Sequence, residues 1–236
     1  MKLLFFDLET TGFGFEKCSI IQLAAIMVDI DAENKLKPLG AINLKMRPRI
    51  GKMIDQRSLE VNGYSVDEIM SWKDDHEAYK EFIAFLDKYI DKYDTLNKAK
   101  LCGYNNSHFD NDFLRQWFYE NGDKFFGSYF YTESIDVMCE ASRYLMHYRP
   151  AMINFKLGNV ASVLGIELDK SALHDGLYDI KVTYKVFKKI LESGNIIMPF
   201  DETTATTMFN DQQVAKSQEH RKKSAFTEEN AWITVE

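Results

Sequence analysis

Apolar residues follow two patterns along the chain: dense short runs up to about residue 46, and longer stretches with apolar positions three and four apart from about residue 75 onward. The first run, Leu3-Leu4-Phe5-Phe6-Asp7-Leu8-Glu9-Thr10-Thr11-Gly12, predicts a strand at the centre of a sheet, because Leu- and Phe-rich runs of this kind are covered on both faces. Ser19 to Ile30 predicts a second buried strand, and Ala41 to Met46, after the turn signal Pro38-Leu39-Gly40, a third. Three strands joined by turns make an antiparallel meander. A short helix is expected over Ser65 to Trp72, opened by a capping box of Ser65 and Glu68. A long one is expected over Asp75 to Tyr93, where Tyr79, Phe82, Ile83, Leu86, Tyr89 and Ile90 form one apolar face. Leu101 to Tyr104 predicts a strand, and Phe109 to Asn121 a helix closed by Asn121-Gly122. Strand, long helix, strand is a crossover, which sets the Leu101 strand parallel to its partner. Helices are expected over Glu133 to Met146, Lys156 to Leu164 and Asp175 to Leu191. The periodicity stops at Gly194, so residues 1–193 are expected to form one domain and 194–236 a polar tail, flexible or with a helix near Asp211 to Lys222.

Composition narrows the class. With 236 residues, 45% of them hydrophobic and 14% aromatic, the chain can bury one ample core, and no apolar run reaches the length of a membrane span. Met1-Lys2 leads straight into the first strand without an export signal, and Cys18, Cys102 and Cys139 are widely spaced. Both features predict reduced thiols and a cytoplasmic location. A net charge of −7 argues against coating nucleic acid by bulk electrostatics, yet not against a nuclease whose acids gather around cations. Two stretches are read two ways. Arg47, Arg49, Lys52 and Arg57, around Pro48 and Gly51, belong either to a solvated loop or to the rim of a cleft where they steer phosphates. The aromatics of Asp123 to Tyr131, with Trp117, Phe118 and Tyr119 upstream, either pack against the next helix or stack unpaired bases.

The acids of the first strand carry the candidate chemistry. Asp7 and Glu9 are two apart and project from one face while Phe6 and Leu8 turn to the other. Two adjacent carboxylates repel unless a hard divalent cation lies between them. Asp110 follows a strand and starts a helix, at the edge where open α/β sheets bind ligands, though N-capping would also explain it. Asn106 can tie that loop to the backbone and orient the carboxylate. Later, His174 and Asp179 stand either side of a helix start, where imidazole and carboxylate can converge on one opening, with Asp175 a rival to Asp179.

The order D-x-E on a first strand, Asp after a strand-turn, then His-x4-Asp on a late helix resembles the DEDDh 3′–5′ exonucleases of the ribonuclease H-like superfamily. Members include the epsilon proofreading subunit of bacterial DNA polymerase III, oligoribonuclease and ribonuclease T. Gly103-Tyr104-Asn105-Asn106 followed by Phe109-Asp110, Ile135-Asp136-Val137-Met138 and Arg149-Pro150 look most like the nuclease domain of bacterial exonuclease I. The likeness covers residues 2 to 192, departing at Gly176 and Ile180, where small alanines are usual, and lacking the further domains of exonuclease I. The resemblance implies an α/β, ribonuclease H-like fold, a central mixed sheet of three antiparallel strands plus parallel strands, flanked by helices. It also implies two divalent ions, Mg²⁺ or Mn²⁺, held by Asp7, Glu9, Asp110 and Asp179, with His174 as general base. Leu8, Thr10, Thr11, Gly12, Asn106 and Phe109 would contact substrate. The implied partner is nucleic acid with a free 3′ end, single-stranded DNA favoured. A polymerase or repair partner, or a homodimer, is a further expectation.

Overall fold

The computed structural model describes residues 1–169 and 175–194. A five-stranded sheet has the order β3-β2-β1-β4-β5, with β1 (Lys2–Thr10) in the middle. It pairs antiparallel with β2 (Ile20–Ile30), which pairs antiparallel with β3 (Leu36–Lys45); on its other side it pairs parallel with β4 (Ala99–Gly103), which pairs parallel with β5 (Ile135–Asp136). The meander and the parallel crossover are therefore both present.

Alternation along β1 divides the core. Leu4, Phe6 and Leu8 pack on one side with α3 (Asp75–Asp87), α4 (Asp110–Glu120) and the single turn α5 (Phe126–Tyr129). Two short helices precede these, α1 (Gln56–Asn62) and α2 (Val66–Met70). On the opposite face Leu3 and Phe5 pack with α6 (Val137–Tyr144), α7 (Leu157–Val163) and α8 (Gly176–Glu192), Phe5 lying edge-on to Tyr184 and Phe187 at 5.6 and 5.5 Å. The result is a helix–sheet–helix sandwich, in which Asp7 and Glu9 extend the Leu3–Phe5 row toward the start of α8.

Several boundaries differ from the sequence reading. β3 begins at Leu36, so Pro38-Leu39-Gly40 lies inside the strand. As the sheet's edge, β3 tolerates a residue without an N–H, and Pro38 pairs with Val28 where the register slips. The long helix ends at Asp87; Tyr89 and Ile90 still bond back to the Leu86 carbonyl but in a turn. Helix α1 begins inside the end of the stretch from Arg47 to Arg57 expected as a loop, its N-cap Asp55 accepting from the Arg57 N–H at 3.0 Å. Residues 135–136 form a strand before α6 instead of its first turn. The Ser65 hydroxyl accepts from Glu68 N–H as expected. The aromatic segment is mostly core: Phe126, Tyr129 and Phe130 are buried around Phe118. The tail beyond residue 194, its expected helix included, lies outside the described residues.

Candidate active site

Strand β1 delivers Asp7 and Glu9 to the carboxyl end of the sheet, and a register shift after Glu9 ends the regular pairing there. Bulges are common beside active sites because they re-aim side chains. Asp110 arrives from the other side. It is 6% exposed and does not cap α4; its Oδ1 accepts the Leu8 N–H at 3.2 Å, which fastens the helix start to the central strand. The turn before it is held by Asp136, whose Oδ1 accepts the N–H groups of Asn105 and Met138 at 3.0 Å, with Asn105 in the left-handed region at φ 65°. Gly103 makes this turn possible. A Cβ there would come within 2.6 Å of Asn106 Cβ and 3.1 Å of the Phe6 carbonyl oxygen.

Helix α8 supplies the fourth acid. Asp175 is its N-cap and accepts from Tyr178 N–H at 2.9 Å, whereas Asp179, one turn in, faces Asp7 and Glu9 closely enough to raise both their pKa values. The capping bond ties up Asp175, although its charge also raises Glu9. An ideal Cβ on Gly176 would stand 3.6 Å from Asp7 Oδ2, which puts the helix's first turn directly against that carboxylate.

Burial and neighbouring acids disfavour ionisation of Asp7, Glu9 and Asp110. Burial, then Asp110, Glu9 and Asp179, push Asp7 well above the ordinary carboxylate range. Burial, then Asp179, Asp110 and Asp175, raise Glu9 to about 7. Asp110 also rises to about 7, through burial and Asp136, against the lowering effect of its bond from Leu8 N–H. Asp7, Glu9, Asp110 and Asp179 offer carboxylate oxygens, the donors a hard divalent cation prefers, and a cation would offset the effect of Asp110 and Asp179 on Asp7 and Glu9. Among the described residues, however, no three His, Cys, Asp or Glu side chains are drawn into a closed metal cage. The acids fit a cation chemically, and they share a cleft without yet converging on one point.

Beside the acids lies a hollow of about 290 Å³, lined in part by Leu8, Glu9, Thr10, Gly12, Phe13 and Phe109. Phe13 is 83% exposed, with its ring centroid 6.1 Å from that of Phe109. Of the residues expected to contact substrate, Leu8, Thr10, Gly12 and Phe109 line this hollow. Thr11 and Asn106 do not. The Thr11 hydroxyl donates to the Met53 carbonyl at 2.6 Å and accepts from Ser19 N–H, and the Thr10 hydroxyl donates to the Gly12 carbonyl. Gly12 is fixed by a close approach, since a Cβ would meet Cys18 Sγ at 2.6 Å. Asn106 is fully buried, its amide donating to Asn111 at 3.0 Å. His174 lies outside the described residues, immediately before the cap of α8.

A family model for the exonucleases matches residues 4–187. The chain belongs to the exonuclease family. It is a DEDDh-type 3′–5′ exonuclease of the ribonuclease H-like superfamily. Ribonuclease T of Hahella chejuensis is 24% identical over 186 residues, covering 78% of this chain and 81% of the relative; that of Escherichia coli K12 is 23% identical over 201 residues, covering 78% and 82%. Among solved structures, the zinc-bound complex of Escherichia coli exonuclease I with single-stranded DNA superposes with a TM-score of 0.62 at 21% identity. The same enzyme with a dT13 oligonucleotide also gives 0.62, at 20%. This exonuclease spans 40% of those longer chains, and the likeness to them is one of fold.

Two supports of the exonuclease site were missed by sequence reasoning. Asp136 carried the signal of an acid directly before an apolar helical stretch, an N-cap pattern, but its grip on the Asn105 turn needs β5 beside β4. Gln22, opposite Glu9 in the β1–β2 register, is 1% exposed and held by two bonds, accepting from the Tyr64 hydroxyl at 2.7 Å and donating to Asn43 at 2.9 Å. A polar residue inside an apolar run was the only trace it left.

Proposed function

We propose that this exonuclease removes nucleoside 5′-monophosphates from the 3′ end of single-stranded DNA, with Asp7, Glu9, Asp110 and Asp179 holding a pair of divalent cations, Mg²⁺ or Mn²⁺. The observation that carries the reading is the gathering of acids from β1, α4 and α8 at the carboxyl edge of the sheet, where Asp110 and Asp179 both raise the pKa values of Asp7 and Glu9. Asp7, Glu9 and Asp110 cost the fold stability until a cation neutralises them, which supports a binding role over a purely structural one. When bound, the cations supply Lewis-acid activation of water and stabilisation of the leaving 3′-oxygen.

The remaining roles belong to the chain. His174, which directly precedes the cap of α8 in sequence, takes the proton from the attacking water; an imidazole suits that step near neutral pH. Backbone groups of Leu8 to Thr11 hold the terminal 3′-hydroxyl, which fits the internal engagement of the Thr10 and Thr11 hydroxyls. The apolar hollow walled by Leu8, Phe13 and Phe109 receives the terminal base, and the bond between Asp110 and Leu8 N–H keeps the strand and α4 in register as it does so. Single-stranded DNA is favoured because solved exonuclease I structures of the same fold hold it. A second reading, RNA trimming, is favoured by the sequence relatives, which are ribonucleases T.

The deciding experiment is a side-by-side digestion of labelled single-stranded DNA, duplex DNA and RNA of one sequence, with and without Mg²⁺. Preferential metal-dependent shortening of single-stranded DNA from the 3′ end is expected. Preference for RNA would establish trimming instead, and binding without release from any substrate would leave a non-catalytic 3′-end-binding module. In the same assay His174→Ala should be strongly impaired; hydrolysis at the wild-type rate would remove the histidine from the mechanism.

A further inference from the structure

The four cations of residues 47–57 have separate fates. Arg47 pairs with Asp74 at 2.7 Å. The Arg49 guanidinium donates through Nε and Nη2 to Asp75 Oδ2 at 3.0 and 2.6 Å and through Nη1 to the Glu120 carbonyl at 2.6 Å. Lys52 pairs with the Glu120 carboxylate and donates to the Glu16 carbonyl. These three fasten the loop to α3 and α4. Arg57 differs. Its backbone N–H is taken by Asp55, while its guanidinium enters none of the ion pairs among the described residues, although the residue is exposed and lines the same hollow as Glu9, Phe13 and Phe109.

A cleft walled by acids in a protein of net charge −7 must still attract a polyanion. We propose that Arg57 is the cation of this loop that grips the substrate's phosphate backbone, and that Arg47, Arg49 and Lys52 take no part in binding. The inference deepens the exonuclease reading and rests on it. An arginine suits the task, since its planar fork can meet two phosphate oxygens at once, and an exposed side chain at the rim of a base-sized hollow can reach a phosphate flanking the base held inside. The hollow itself is apolar enough to hold a base without help from a charge.

The test is the salt dependence of kcat/KM on the best-cleaved single-stranded oligonucleotide, measured in Mg²⁺ for wild type, Arg57→Gln, Arg57→Lys and Arg47→Gln. Loss of one phosphate contact to a single strand makes the slope of log kcat/KM against log salt shallower by about 0.7, so the deficit of Arg57→Gln should narrow about 2.6-fold between about 50 and 200 mM salt. Its kcat at saturating substrate should be unchanged, Arg57→Lys should keep the wild-type slope, and so should Arg47→Gln. A slope for Arg57→Gln parallel to wild type overturns the proposal, whether activity is untouched or falls only for particular terminal bases, which would make Arg57 a base reader. A shallower slope for Arg47→Gln overturns the division within the loop. Absence of any metal-dependent release by the wild type is a different failure, removing the exonuclease reading and the inference together.

Discussion

Two groups of charged side chains, one behind the loop of residues 47–57 and one at the carboxyl end of β1, are treated in opposite ways. Behind the loop of residues 47–57, Asp75 accepts from Arg49 and, through Oδ1, from the Trp117 indole at 2.6 Å, while Glu120 takes Lys52 and the Gln116 amide. Every acid there has a cation or a donor. At the carboxyl end of β1, Asp7, Glu9 and Asp110 enter no ion pair among the described residues, and burial and neighbouring acids raise all three. The same chain can neutralise buried carboxylates when they only have to hold elements together. At the cleft the raised carboxylates cost the fold stability, and the divalent cations proposed above would supply the neutralising charge.

The sharpest break of that contrast is at Glu9. Replacing it with Gln removes an anionic oxygen donor, and activity should fall by at least about 10²–10³-fold, the scale of losing one electrostatic stabiliser of a transition state. The same change should stabilise the metal-free protein. Glu9 has a folded pKa raised from 4.5 to about 7, so its neutral form favours the fold fully below about pH 4.5, and that contribution is lost as pH rises through 7. At pH 8 Glu9→Gln should therefore be about 1–3 kcal/mol more stable than wild type in EDTA, and at pH 4 equal to it. Asp110 adds a loss of the same sign over the same window. Wild-type melting temperature in EDTA should consequently drop between pH 5 and pH 8, and added Mg²⁺ should reverse the drop. Denaturation at the two pH values, with and without the cation, reads all of this; a wild type whose stability is indifferent to Mg²⁺ at pH 8 would count against metal binding by these acids.

On the satisfied side the sign reverses. Asp75→Ala leaves Arg49 and the Trp117 indole without their shared acceptor and should destabilise the protein by about 3 kcal/mol at every pH at which it folds, the low end for breaking a buried pair. Mg²⁺ should not rescue it. Chemical denaturation, compared with Glu9→Gln in the same buffers, separates a group that holds the fold from one that burdens it.

How much of this was legible depends on the range of the interactions concerned. The alternation of Leu3 and Phe5 against Leu4, Phe6 and Leu8 is a local signal, and it correctly put both strand acids on one face. The helix expected from Asp175 to Leu191 is present as α8, with Asp175 its cap. Other features are set by neighbours distant in sequence. Pro38 reads as a turn unless β3 is known to be the edge, and the two residues of β5 are a strand only because Gly103 and Cys102 lie alongside. The basic loop read as one unit since its charges look alike in sequence; what separates Arg57 from Arg49 is the arrival of Asp75 and Glu120 from two helices. The acid cluster was recognisable through its ordered spacing, but its mutual electrostatics and the bond from Leu8 to Asp110 are properties of the folded cleft.

The smallest effect is expected at Gly176, where the first turn of α8 meets Asp7. A Cβ there would find Ala24 Cβ at 3.5 Å and both Asp7 Oδ2 and Gln22 Nε2 at 3.6 Å, ordinary contact distances, and the residue lies outside the left-handed region that would require glycine. Gly176→Ala should therefore fit. It should stabilise the protein by about 0.4–1 kcal/mol by restricting the unfolded chain, with activity unchanged. Equilibrium unfolding and the digestion assay together test this. If the methyl group instead lowers activity while raising stability, the space beside Asp7 is needed by something that binds there, and the neutralising charge of the cleft would be located at the start of α8.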